Sequence, residues 1–343
     1  MLFRSGLVVV LTGLYVADVL RLGRSLGAVG LTTIGAVRGS VDTNTNFLIR
    51  QGIKITMAVA YVNSFIFANN TLSKRLKKTD IVYIVPTICG CICSIFTGVR
   101  TEIFRLVIAL FVYYIVLNNE SKEWKSRNHS FKYIIKNFGL PTVILLFVFF
   151  QVRTIIKVTQ NLSENRNYNA FEYILFYIGS SWIVLNNKIN MGLSNFRGRL
   201  FGELTFASTY QDLGDFGLIN LDSGLTQVGY TVVDRTKGTY GNVDTMFGNP
   251  LVDFGVVGSV IFTIILVALL TIYYRKNIKN SYSNYERNKK LIIYAFLYYM
   301  VGLGFYASVF SYFLSFYFVV TLIIIRIVYW FYFKLKVELK GKR

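Results

Sequence analysis

The chain has 343 residues, of which 54% are hydrophobic and only 16% charged, with a formal net charge of +20 and a mean hydropathy of +0.48. A soluble domain carries about 25% charged residues, so the composition excludes an ordinary water-soluble globule and points to lipid as the solvent. A basic excess of this size in a soluble protein would suggest nucleic acid, but here the cations are grouped beside apolar runs with no phosphate loop, recognition module or basic tail, which excludes a nucleic-acid partner.

A helix needs about 20 mostly apolar residues to cross the hydrocarbon core. In chain order the qualifying runs are 3–21, 47–69, 81–98, 101–118, 138–156, 251–274, 290–308 and 312–333. They predict an all-α, polytopic transmembrane bundle of about eight helices. It forms a single integral membrane domain over 1–343, with one large external loop at 157–250 between the fifth and sixth helices. The first run follows Arg4 and has no small-residue cleavage site, so it reads as a membrane segment, weakened by Asp18 near its end. The second run carries Arg50 and Lys54. The third holds the three cysteines Cys89, Cys91 and Cys93, which lack a fourth ligand and read as small packing residues, not as a metal site.

The segments between the runs sort by charge. Residues 70–80 hold Lys74, Arg75, Lys77 and Lys78; residues 119–137 hold Lys122, Lys125, Arg127, Lys132 and Lys136. Residues 275–289 hold Arg275, Lys276, Lys279, Arg287 and Lys289, and the tail holds Lys334, Lys336, Lys340, Lys342 and Arg343. With eight helices all four segments fall on one face, which the positive-inside rule makes cytoplasmic, together with both termini. The loop at 157–250 falls on the other face. Its acids and bases nearly cancel, and residues 170–186 are apolar but interrupted by Gly179, Ser180 and Ser181, the pattern of an interfacial or re-entrant helix.

The informative charges are those that escape the inner loops. Arg50 and Lys54 share one helix face; Arg100, Glu102 and Arg105 surround the outer turn between the third and fourth runs; Arg153 closes the fifth and Asp253 opens the sixth. Ionisable groups at membrane depth face a bundle interior or a water-filled cavity. Two readings stand side by side: snorkelling side chains with an internal Glu102–Arg105 pair, or cations converging on an anion at the outer face. Arginine forks suit phosphate oxygens, and a lipid diphosphate headgroup lies at that depth. The single histidine, His129, falls in an inner loop, and no Asp-x-Asp motif marks a metal–nucleotide site, so neither metal nor cofactor is expected.

Four segments resemble those of a known family. Phe96-Thr97-Gly98-Val99-Arg100-Thr101-Glu102 resembles the Gly-x-Arg turn of oligosaccharide repeat-unit polymerases, the Wzy-type O-antigen and capsule polymerases. Tyr177-Ile178-Gly179 with Leu185-Asn186, and Gly202-Glu203-Leu204-Thr205-Phe206, resemble parts of their outer loop. Phe247 through Gly258 resembles the Asp-Phe-Gly-x-x-Gly stretch that begins the following helix. The resemblance covers roughly 40–330, with fewer N-terminal helices than relatives usually carry.

The resemblance implies a metal-independent lipid-diphosphate-sugar glycosyltransferase in the bacterial inner membrane. A glycan on undecaprenyl diphosphate would be transferred to the next lipid-linked repeat unit on the outer face. Fixed arginines would stabilise the leaving diphosphate, and a carboxylate would accept the hydroxyl proton. The expected catalytic residues are Arg100, Glu102, Glu203 and Asp253; the expected substrate-binding residues are Arg50, Lys54, Arg153, Arg197 and Arg199. For Asp253 and its glycines, a helix cap with close packing is the competing reading. Implied partners are the lipid-linked oligosaccharide, the membrane, a chain-length regulator and a flippase. An O-antigen ligase would share the architecture, but ligases place a histidine in the outer loop. A flippase or transporter would show more helices and repeat symmetry.

Overall fold

The computed structural model describes residues 2–28, 33, 37, 46–73, 78–97, 101–121, 124, 170–196, 198–221, 224–225, 231–234, 239–241, 244–281, 283–305, 307–308, 310–312 and 315–340. The fold is helical. Among the described residues the α-helices are α1 (Leu2–Ser25), α2 (Phe47–Leu72), α3 (Ile84–Thr97), α4 (Thr101–Ser121), α5 (Ala170–Met191), α6 (Ala207–Asp215), α7 (Gly248–Tyr274), α8 (Asn284–Gly302) and α9 (Phe316–Lys340). Among the described residues, four stretches are long and apolar enough to cross a membrane: Ser5–Ser25, Thr101–Ser121, Gly248–Lys279 and Phe316–Lys334. The run expected at 138–156 lies outside the described residues.

The chain divides into two compact units, Met1–Glu164 with Asn288–Phe296 and Ile323–Arg343, and Asn165–Arg287 with Leu297–Leu322. In the first unit α2 is the central helix. From Thr56 to Phe65 nearly every side chain is buried, which explains how a helix carrying Asn63 and Ser64 is accommodated. Asn63 donates to the Val59 carbonyl at 2.9 Å and to the Tyr332 hydroxyl at 3.0 Å, and Ser64 shares a hydrogen bond with Thr87 of α3 at 2.9 Å. Such polar contacts hold helices together where apolar burial cannot, because lipid is as apolar as leucine. Tyr61 and Phe65 stack edge-to-face on Phe296 and Tyr113 at 5.3 and 5.6 Å. Cys89 and Cys93 are free and buried, in keeping with a packing role.

The run expected at 81–98 is divided into a 3₁₀ turn, Lys78–Tyr83, and the shorter helix α3. Pro86 gives the reason: without an N–H it fits only the first turn, where donors have no intrahelical partner, so the α-helix begins at Ile84. The span expected at 290–308 is displaced toward its basic flank, as α8 runs from Asn284 to Gly302.

In the second unit, the apolar run around Gly179 is an unbroken helix, α5, which ends at Gly192 with φ +89°. A two-stranded antiparallel hairpin, β1 (Thr231–Asp234) and β2 (Thr239–Gly241), interrupts the otherwise helical pattern. It was not anticipated, although the β-branched Thr-Val-Val run carries the appropriate preference. Asn187 of α5 donates to the Val232 carbonyl at 2.6 Å and pins the hairpin to that helix.

Candidate functional site

Two of the segments singled out in the sequence meet in the second unit. The first is the turn Gly202–Phe206; the second is the head of α7. Gly248-Asn249-Pro250 starts this helix, again with proline in the first turn. Asn249 is 8% exposed and donates to the Leu204 carbonyl at 2.9 Å. Asp253, one turn on, accepts the backbone N–H and the hydroxyl of Thr205, each at 2.7 Å, through Oδ2. Its other oxygen, Oδ1, is buried and has no hydrogen-bond partner among the described residues.

Immediately after Asp253 and Phe254, the helix breaks. Gly255 has φ +70° and ψ −175° inside α7, a region open essentially to glycine alone. The Asp-Phe-Gly stretch is therefore a short helical head, a break and a long apolar span. Gly202 faces it with φ +68°, and a Cβ there would lie 3.0 Å from the Phe254 ring. Around this contact Phe254 packs on Phe201 at 5.1 Å and on Phe262 at 6.0 Å, and Phe262 meets Phe310 edge-to-face at 5.0 Å.

Glu203 is 1% exposed. Its Oε2 accepts the N–H groups of Arg199 at 2.6 Å and Leu200 at 2.9 Å, which closes the turn that carries Arg199. The Arg199 side chain itself is exposed. Glu203 and Asp253 are near enough for the charge of one to act on the other. Arg199, Glu203 and Asp253 are thus brought into one frame.

The remaining expected residues divide as follows. Arg50 and Lys54 are half-buried one turn apart on α2, where their like charges repel. Glu102 pairs with the buried Arg105 one turn along α4, so the internal pair considered from sequence is present. Arg100, Arg153 and Arg197 lie outside the described residues. Among the described residues no three His, Cys, Asp or Glu side chains gather as a metal site.

Sequence reasoning passed over one feature of this unit. Lys188 of α5 is 0% exposed and forms an ion pair with Asp244, which is 3% exposed. The ammonium also lies 5.6 Å from the centre of the Phe196 ring. Burial pushes the Asp244 carboxyl above its ordinary range, and Lys188 opposes that shift. The near-balance of charge in 157–250 was the only signal of such pairing.

A bundle of apolar helices with a polar-tied frame at the head of a broken spanning helix defines a multi-pass membrane protein. The chain belongs to the O-antigen polymerase family. The family described as "Putative O-antigen polymerase" matches residues 44–318, from just before α2 to the first turn of α9. No curated protein and no solved structure matches the chain. Membership makes this a membrane protein of polysaccharide biosynthesis of the O-antigen polymerase kind.

Proposed function

We propose that this protein polymerises undecaprenyl-diphosphate-linked oligosaccharide repeat units into O-antigen or capsular polysaccharide on the outer face of the bacterial cytoplasmic membrane. Family membership over 44–318 carries this reading. In the proposed topology both termini and the basic loops are cytoplasmic and 157–250 is external.

In the reaction, a hydroxyl on the non-reducing end of the acceptor repeat unit attacks the anomeric carbon of the donor glycan. A carbon–oxygen bond forms there as the bond to the lipid diphosphate breaks. The hydroxyl proton passes to a carboxylate, and the charge developing on the leaving diphosphate is held by arginines, which need no metal for this purpose. Arg100 is assigned the main part in that stabilisation. Arg50, Lys54, Arg153, Arg197 and Arg199 bind the headgroup and the sugars near it.

Three carboxylates were candidates for the base. Glu102 is engaged by Arg105, and Glu203 by two backbone N–H groups. Asp253 keeps Oδ1 without a partner among the described residues and so retains the capacity to take a proton. The Thr205 bonds hold that carboxylate in one orientation. A chain-length regulator and a flippase are the expected partners.

Deleting the gene tests this. Lipopolysaccharide should then carry a single repeat unit with no ladder, restored by the wild type and not by Arg100→Ala. Loss of every repeat unit on deletion would indicate ligation or flipping instead.

A further inference from the structure

Asp18 is an acid within the apolar stretch Ser5–Ser25, only 7% exposed. A charge at that depth is costly, and those that persist are paired. Its Oδ1 meets the Arg21 guanidinium at 2.7 Å, while the Arg21 side chain stays 75% exposed. Its Oδ2 accepts the backbone N–H of Asn46 at 3.0 Å, across 28 residues of chain.

Asn46 is the cap that starts α2. Its Oδ1 accepts the N–H of Leu48 at 2.9 Å, and its carbonyl accepts the N–H of Arg50 at 3.0 Å. Asp18 therefore grips the head of the helix that presents Arg50 in its first turn and Lys54 one turn later. Beside this charge-assisted bond, Tyr15 and Val19 of α1 form a cluster with Cys93, against which Ile49, Ile53 and Phe96 pack. Ile49 and Ile53 immediately precede Arg50 and Lys54, about 100° around the helix. Packing on α1 thus sets the rotation of α2, and the Asp18 bond sets its height.

We propose that Asp18 is a positioning residue for the lipid-linked substrate: through the Asn46 N–H it fixes where Arg50 and Lys54 meet the anionic headgroup. The proposal rests on the reading above that Arg50 and Lys54 bind that headgroup. Asp18 itself touches no substrate.

The test uses the full chain with Cys89, Cys91 and Cys93 replaced by alanine. First, the rate at which an impermeant thiol reagent modifies Arg50→Cys is compared with and without Asp18→Ala; a change of about fivefold or more is expected, since one lost charge-assisted bond has that weight. Second, KM and kcat for the lipid-linked repeat unit are measured. Asp18→Ala should raise KM about tenfold with kcat within about twofold, the signature of lost binding. Asp18→Asn keeps an acceptor for the Asn46 N–H and should recover most of the loss. Arg21→Ala should behave as wild type. In an Arg50→Ala, Lys54→Ala background, Asp18→Ala should add less than about twofold, because the three act as a unit.

An unchanged labelling rate, or effects that multiply fully in the combined variant, overturns the proposal. If Arg50→Ala, Lys54→Ala leaves KM unchanged, the headgroup reading falls and the proposal with it; a labelling change that persists would locate the failure in that reading, not in the grip on α2. Should Asp18→Ala not accumulate in the membrane, Asp18→Ser, too short to reach Asn46, carries the same expectations.

Discussion

Asp253 and Thr205 are joined twice through one oxygen: Oδ2 accepts both the N–H and the hydroxyl of the threonine at 2.7 Å. This binds the head of α7 to a turn 48 residues earlier and leaves Oδ1 uncommitted among the described residues. Hydrogen bonds to charged groups contribute about 1.5–3 kcal/mol each. Thr205→Val should therefore lower stability in detergent by about 2 kcal/mol, read from thermal unfolding. Asp253→Asn keeps an acceptor and should lose less, yet it cannot take up the acceptor proton. A folded Asp253→Asn variant with no polysaccharide ladder is the expected outcome; a full ladder would remove Asp253 as the base.

The break at Gly255 yields a second expectation. Alanine at φ +70°, ψ −175° is strained by about 1–3 kcal/mol. Gly255→Ala should either destabilise the protein by that amount or straighten α7 and displace Asp253, and in both cases shorten or abolish the ladder. Gly179 is the control. It sits in a regular helix, and nothing lies within 4 Å of an added Cβ. Gly179→Ala should be neutral or stabilising by up to about 1 kcal/mol, as measured by the same unfolding assay.

These two sites also show where sequence reading succeeds and where it stops. The apolar runs at 3–21, 47–69, 101–118 and 251–274 coincide closely with α1, α2, α4 and α7, because bilayer thickness imposes a length that a simple window detects. The division of 81–98 was less visible, although Pro86 marks it. The Asp-Phe-Gly-Val-Val-Gly stretch reads locally as a cap with close packing, and nothing in that pattern announces the backbone break at Gly255. Asp253 does bind backbone, but that of Thr205. Long-range partners are the part no local pattern encodes: Lys188 and Asp244 are 56 residues apart, and Asp18 and Asn46 are 28 apart. Asp18 read as a blemish in a weak span because its partner is a backbone N–H, which has no sequence signature. The expected convergence of cations at the outer face rests in part on Arg100 and Arg153, which are outside the described residues.

The topology has its own test. A cysteine introduced near residue 235, in the chain lacking its three native cysteines, should react with an impermeant reagent added to intact cells whose outer membrane has been permeabilised. A cysteine at the exposed position 280, just after Arg275, Lys276 and Lys279, should react only after lysis. Reversal of the two would invert the orientation that the basic loops imply.

The buried Lys188–Asp244 pair should behave as an all-or-none element of the second unit. Removing one partner leaves an uncompensated charge in a site that is 0–3% exposed, which costs about 3–5 kcal/mol. Lys188→Met and Asp244→Leu should each unfold at markedly lower temperature, and the double variant should recover much of the loss, since a well-packed apolar pair often replaces an ionic one without penalty.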